Sequence, residues 1–244
     1  MIAGAALLPD QRVATVIVPV ERLELSYTPR AWRFAIERRS EIDAHFAELR
    51  RSNPTLWNGR VLLLHQHAVR NRVFHGACFE TDFASMLAWR HWDFPDPAVK
   101  NCFAMAALRA NDGPFLLGVM AAHTANAGWT YFPAGTPDPS DVDGARVDLA
   151  RGLMRELAEE TGLAAADVEP ESGWTTVLAG ARVAHMRILR ARQTAARLRE
   201  RILAHVAREA QPELSDVRVV GSPADFDSTI PPYVTAFLRQ VWSA

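Results

Sequence analysis

Three glutamates, Glu156, Glu159 and Glu160, crowd one short stretch, Arg155-Glu156-Leu157-Ala158-Glu159-Glu160-Thr161-Gly162-Leu163. On a helix, residues three and four apart are neighbours, so all three carboxylates share one face. Like charges at that spacing cost an isolated helix roughly 0.2–0.5 kcal/mol per pair. The pattern therefore calls for a cationic partner. A divalent ion held by oxygen ligands suits it, because Mg²⁺ combines carboxylates with water and phosphate oxygens.

The same helix has legible ends. Asp148 suits an N-cap, and Leu149, Leu153, Met154 and Leu157 form an apolar arc for a core. At roughly 100° per residue the glutamate stripe lies about a third of a turn from the centre of that arc, at the edge of the packed face. Gly152 falls one turn before Glu156 on the same stripe, where a missing side chain leaves room for a ligand. Gly162 supplies a left-handed terminus.

The run Arg-Glu-Leu-x-Glu-Glu-x-Gly-Leu resembles the second half of the Nudix hydrolase signature, with every specified position present. Upstream, Tyr131-Phe132-Pro133-Ala134-Gly135 resembles the strand and turn that precede it in that family, with Ala134 where a glycine is common. The intervening loop is several residues longer than usual. Val147 stands where the family's loop glutamate falls, with Asp148 one position later.

The resemblance implies an α/β (α+β) fold, a Nudix-type α/β/α sandwich with a mixed sheet. It also implies metal-dependent cleavage of a nucleoside diphosphate linked to another moiety. Glu156, Glu159 and Glu160 would be the metal ligands for Mg²⁺ or Mn²⁺, Arg155 would orient the neighbouring carboxylate, and Gly135 would let backbone approach the metal site. The general base is left open between Glu213 or Asp216 and, acting on a metal-bound water, Glu160 or Glu159.

Of 244 residues, 49% are hydrophobic and 23% charged, the balance of an ordinary globular chain. The formal charge of −1, from 27 basic and 28 acidic residues, argues against a nucleic-acid partner. The expected partner is a small-molecule nucleotide, with a homodimer as the candidate assembly. Residues 1–8 are apolar but lack a basic flank and are too short to span a bilayer, so no membrane association is expected and the cytoplasm is the default compartment. Cys78 and Cys102 have no partners at metal-site spacing and read as reduced packing residues.

Phe94-Pro95-Asp96-Pro97 marks the expected boundary between an N-terminal extension, 1–97, and a catalytic domain, 98–244. In the extension the pattern predicts a strand over 12–20 and a helix from Thr28-Pro29 to about Ser52, with Trp32, Ile36, Ile42, Phe46 and Leu49 buried. A hairpin follows around Arg70-Asn71-Arg72, then an aromatic helix to Trp92. His65, His67 and His75 lack cysteine or carboxylate companions and read as histidines outside any zinc site.

In the second part, strands are expected over 103–108 and 115–120 about an Asn111-Asp112-Gly113 turn, then over 129–132, 174–178, 183–189 and 217–221. Helices are expected over 192–210 and 231–242, the first with an arginine face (Arg197, Arg199, Arg201, Arg208) read as solvated. The stretch 53–59, the leucine run ending at His65, and Thr81-Asp82-Phe83 with Trp89 or Trp92 resemble the N-terminal region of Nudix proteins that hydrolyse UDP-sugars. CoA and ADP-ribose pyrophosphatases, and a non-catalytic nucleotide sensor, are the alternatives. Trp57, Trp89, Trp92 and Trp129 are candidates for stacking on a base.

Overall fold

The computed structural model describes residues 15–243. The apolar stretch 1–8 and positions 12–14 of the expected first strand lie outside the described residues. The described residues open with β1 (Thr15–Val20), β2 (Arg22–Tyr27), α1 (Arg33–Glu37), α2 (Arg39–Ser52), β3 (Arg60–Arg70), β4 (Val73–Asp82) and α3 (Phe83–His91). Then come β5 (Asn101–Arg109), β6 (Phe115–Met120), β7 (Thr130–Tyr131), β8 (Val142–Asp143), β9 (Arg146–Val147) and α4 (Leu149–Thr161). The last part holds β10 (Val168–Pro170), β11 (Trp174–Ala179), β12 (Arg182–Ala191), α5 (Ala195–Val206), β13 (Leu214–Val220) and α6 (Pro232–Ser243).

Two mixed sheets are layered among these helices, the α+β architecture the sequence led us to expect. The larger has the order β1-β11-β12-β5-β6-β13, with β10 beside β12 and β7 beside β6. Within it β12 and β5 run parallel. The smaller has the order β3-β4-β2-β9-β8, with β2 and β4 parallel. The two prolines at 95 and 97 sit between α3 and β5, yet β1 lies in the larger sheet and the β8-β9 hairpin in the smaller one.

Strand β5 shows why the layers form. Phe103, Met105 and Ala107 face a core shared with Tyr233, Val234, Phe237 and Leu238 of α6. The alternate residues Cys102, Ala104, Ala106 and Leu108 face α4, α5 and the smaller sheet. A strand covered on both faces needs a continuous apolar run, which is what 102–108 provides. A third core, with Trp32, Phe79 and Trp89 at its centre, seats α1–α3 on the far side of the smaller sheet.

The N-terminal part departs from expectation in three places. The helix expected from Thr28 starts at Arg33, because the Thr28 N–H donates to Cys78 O at 2.7 Å and sheet pairing keeps it extended. The helix also breaks at Arg38, which rotates the first segment: Trp32 and Phe34 turn inward, and Ile36, expected in the core, is 64% exposed. Strand β2 was not anticipated, although Arg22-Leu23-Glu24-Leu25-Ser26-Tyr27 alternates polar and apolar residues.

The three histidines do not gather. A bulge between Leu64 and Gln66 interrupts the alternation; His67 stacks on Phe74, His75 pairs with Glu24, and His65 packs against Phe79. The consequential histidine is instead His185, fully buried on β12, with Nδ1 2.9 Å from Thr176 Oγ1 and Nε2 3.4 Å from Cys102 Sγ. Burial, reinforced by His67, depresses its pKa to about 3.

An unfolded histidine titrates near 6.5. Between pH 6.5 and about 3 the unfolded chain therefore binds the extra proton, and this residue's share of the stability falls as the pH is lowered through that window. Urea melts at pH 7 and pH 4.5 should show His185→Gln losing less stability on acidification than the wild type. Equal losses would mean that His185 is not the group responsible.

Candidate active site

Helix α4 is built by its ends and its apolar face. Asp148 caps it, accepting from the N–H groups of Ala150 and Arg151 at 3.1 Å, and Gly162 closes it at φ 68°. Leu149, Leu153 and Leu157 are buried against β5 and α5. That docking aims Glu156 and Glu160 at the turn 133–136.

Glu160 is 6% exposed, and its Oε1 accepts the Ala134 N–H at 3.1 Å. Its Oε2 is buried and has no hydrogen-bond partner among the described residues. Glu156 presses on Gly135 so closely that a Cβ there would stand 2.1 Å from its Oε1. Burial raises the Glu156 pKa to about 7 against the pull of Arg155, with Glu159 and Glu213 adding to the rise. Burial likewise drives Glu160 well above the usual carboxylate range; the Ala134 N–H opposes this, while Glu213, Glu156 and Glu159 reinforce it. Glu159 is the outlying member, with its side chain 59% exposed and 3.4 Å from Arg155.

Arg155 ties the acidic face together. Its Nη1 is 2.7 Å from Glu156 Oε1, and its Nη2 is 3.5 Å from both carboxylate oxygens of Asp141. Asp141 lies outside the acidic motif. It is buried, and a Cβ on Gly152 would come 2.9 Å from its Oδ1. The space over Gly152, expected to receive a ligand, is thus filled by this carboxylate.

The long loop makes that placement possible. The β8-β9 hairpin adds to β2, the Tyr27 N–H donates to Ala145 O at 2.8 Å, and the Leu62 N–H donates to Pro137 O at 2.7 Å. The available signal was Asp138-Pro139-Ser140-Asp141, a capping box that turns the chain back beneath α4.

Glu156 and Glu213 line one cleft of about 500 Å³, with Trp57, Arg60, Asn126 and Tyr131 among its other walls. Asp216, the other base candidate, pairs instead with Arg199 at 2.7 Å and does not line that cleft. Of the four tryptophans, Trp57 stands 79% exposed on the cleft, whereas Trp89 is fully buried with its Nε1 donating to Asp96 O. Trp92 lies under Arg38, and Trp129 lines a smaller chamber that shares walls with the cleft. The arginine face of α5 is spent on Glu200, Asp216 and Asp167 and on the Ala204 carbonyl.

No group of three or more His, Cys, Asp or Glu side chains stands in a coordinating arrangement among the described residues. Arg155 occupies Glu156 instead. No helix is long and apolar enough to cross a membrane among the described residues.

No family model matches this chain, and no curated protein does. Solved structures similar to it include a Nudix hydrolase from M. smegmatis, RenU, at 16% identity and a TM-score of 0.37, covering 58% of this chain and 84% of that one. A putative Nudix hydrolase family member from Chromobacterium violaceum is 18% identical at a TM-score of 0.36, over 59% and 78% of the two chains. The MutT protein from Methanosarcina mazei Go1 is 19% identical at a TM-score of 0.37, over 59% and 94%.

Proposed function

We propose that this chain is a metal-dependent Nudix-type diphosphatase, cleaving the phosphoric anhydride of a nucleoside diphosphate linked to a further moiety. The observation that carries the reading is the buried Glu160 carboxylate with its unsatisfied Oε2, set beside Glu156 and facing the charge of Glu213. A buried anion without a counter-charge is costly, and a divalent cation removes the cost. The chemistry of these oxygen donors suits Mg²⁺ or Mn²⁺, which Glu156, Glu159 and Glu160 would hold.

Such an ion, when bound, neutralises the diphosphate and acidifies the attacking water. The protein's own residues supply the rest. Arg155, braced by Asp141, holds the Glu156 carboxylate in register. Gly135 admits that carboxylate against the backbone of the turn. Glu213 lines the same cleft and would take a proton from the water.

For the substrate we favour a UDP-sugar, because the stretch 53–59 that carries that resemblance borders the cleft through Asn53, Trp57 and Gly59. Trp57 offers an exposed ring for a base. The test is product release from UDP-glucose, ADP-ribose and CoA with Mg²⁺ or Mn²⁺. Turnover of at least one is expected. Tight nucleotide binding without turnover of any would make the chain a sensor and overturn the hydrolase reading.

A further inference from the structure

Beside the cleft lies a second cavity of about 80 Å³, with Asn101, Phe103, Met105, Trp129, Tyr131 and Tyr233 among its walls. The two spaces share Tyr131, Ala134, Gly135 and Thr136, so the turn that meets the carboxylate helix opens onto the chamber. A water takes about 30 Å³ in the liquid, and the volume therefore holds about three heavy atoms. Neither a sugar ring nor a base enters it whole.

The polar groups of the wall define what enters. Asn101 opens β5, and its Oδ1 is buried without a hydrogen-bond partner among the described residues. A buried acceptor left unpaired is costly, and a donor on the ligand removes the cost. The tyrosine hydroxyls offer the converse. Tyr131 accepts from Asn126 Nδ2 at 2.9 Å, which leaves its own proton to give. Burial pushes the Tyr233 pKa up to about 12 against the pull of Arg182 and Arg90, so that hydroxyl also keeps its proton. The guanidiniums in the wall are already engaged: Arg90 donates to Asn126 Oδ1 at 3.0 Å and Ala125 O at 3.3 Å, and Arg182 lies over the Phe94 ring at 5.1 Å.

A fitting occupant carries a donor, an acceptor and an apolar end within a few heavy atoms. An amide does so: its N–H suits Asn101 Oδ1, its C=O suits a tyrosine hydroxyl, and its apolar end suits Phe103, Met105 and Trp129. An ionised carboxylate has no hydrogen to give Asn101, and an ammonium would meet the guanidiniums.

We propose that this chamber is a specificity subsite for a neutral amide carried by the moiety beyond the scissile diphosphate, the acetamido group of a hexosamine or the carboxamide of a nicotinamide. The inference rests on the diphosphatase reading for its substrate, but occupancy of the chamber is measurable without turnover. The competing account is that ordered water alone satisfies Asn101.

The first arm is saturation-transfer NMR on the metal-free protein, with UDP-N-acetylglucosamine and separately with NAD⁺. The acetyl methyl, or the nicotinamide protons flanking the carboxamide, should receive more saturation than the ribose protons of the same molecule, and the probe that shows the excess identifies the source. Asn101→Leu, close in size, should abolish the excess, and Asn101→Asp, which keeps an acceptor for the N–H, should retain it. Asn101→Ala also removes the acceptor and replaces the leucine variant if that one does not fold. No excess with either probe, or an excess unchanged by loss of the acceptor, overturns the proposal.

The second arm compares substrate pairs that differ at the amide: UDP-N-acetylglucosamine with UDP-glucose, and NAD⁺ with nicotinic acid adenine dinucleotide. For at least one pair, kcat/KM should favour the amide by tenfold or more, because a site built to hydrogen-bond a group rejects the analogue lacking it. The ratio should fall towards one in Asn101→Leu and survive in Asn101→Asp. No preference for the amide in either pair, or equal losses on both members, overturns the proposal. If neither pair turns over at all, the diphosphatase reading fails and the NMR arm alone decides whether the chamber takes an amide.

Discussion

Glu160→Gln is expected to lower kcat/KM on any accepted substrate by about 10²–10³-fold, the equivalent of about 3–4 kcal/mol of lost electrostatic stabilisation. The same substitution is expected to raise the melting temperature of the metal-free protein. These opposite signs share one cause. Glu160 is buried, its Oε2 lacks a partner among the described residues, and the charges of Glu213, Glu156 and Glu159 press on it. A glutamine keeps the bond from the Ala134 N–H to its side-chain oxygen and sheds the charge. Without metal the charge is a burden, and under the proposed function it would be what holds the metal. Mg²⁺ or Mn²⁺ should therefore stabilise the wild type in a thermal melt and leave the variant nearly unmoved. A variant that stays active, or that gains as much from metal as the wild type, would remove Glu160 from the site.

Gly135→Ala is the second large effect, and here fold and activity should separate. The new Cβ would stand 2.1 Å from Glu156 Oε1 and 2.2 Å from its Cδ. The obstructed atoms are the end of a flexible side chain, so Glu156 can swing away at a stability cost of about 1 kcal/mol or less. Swinging away takes the carboxylate out of the site and strains its 2.7 Å contact with Arg155. A displacement of an ångström or more at a reacting centre costs on the order of 10²-fold. Steady-state kinetics beside a urea midpoint would check both halves. Wild-type kcat/KM in Gly135→Ala would show that the close approach has no bearing on turnover.

The site was partly legible in advance because part of it is local. Spacing along one helix brings Glu156 and Glu160 to one face whatever surrounds it. Asp148 and Gly162 satisfy that helix's terminal backbone groups without help from elsewhere. Arg155 and Gly135 both lie against Glu156. Glu159 is a different case. It shares the acidic face by spacing, yet α4 docks on Leu149, Leu153 and Leu157 in a rotation that leaves Glu159 outermost. Helical spacing alone does not fix that rotation.

Asp141 was missed for a related reason. It reaches Arg155 from fourteen residues away, through a hairpin that needs the edge of β2 to exist. The loop between Gly135 and Asp148 folds onto β2, a strand distant in sequence, so its course has no local cause.

What the sequence determined by itself is the set of elements whose cause is local. These are the capped acidic helix α4, the doubly buried strand β5, the hairpin at Arg70-Asn71-Arg72 and the proline-led α6. Each follows from periodicity, caps or turn residues, interactions that span a few positions. Tertiary structure alone decided the break at Arg38, the sinking of Asp141 beneath Gly152, and the meeting of Arg90 with Arg182 in one chamber. These depend on sheet edges and packed faces contributed by residues tens of positions apart. Neither partner carries a local mark of the other, so only the closed fold brings them together.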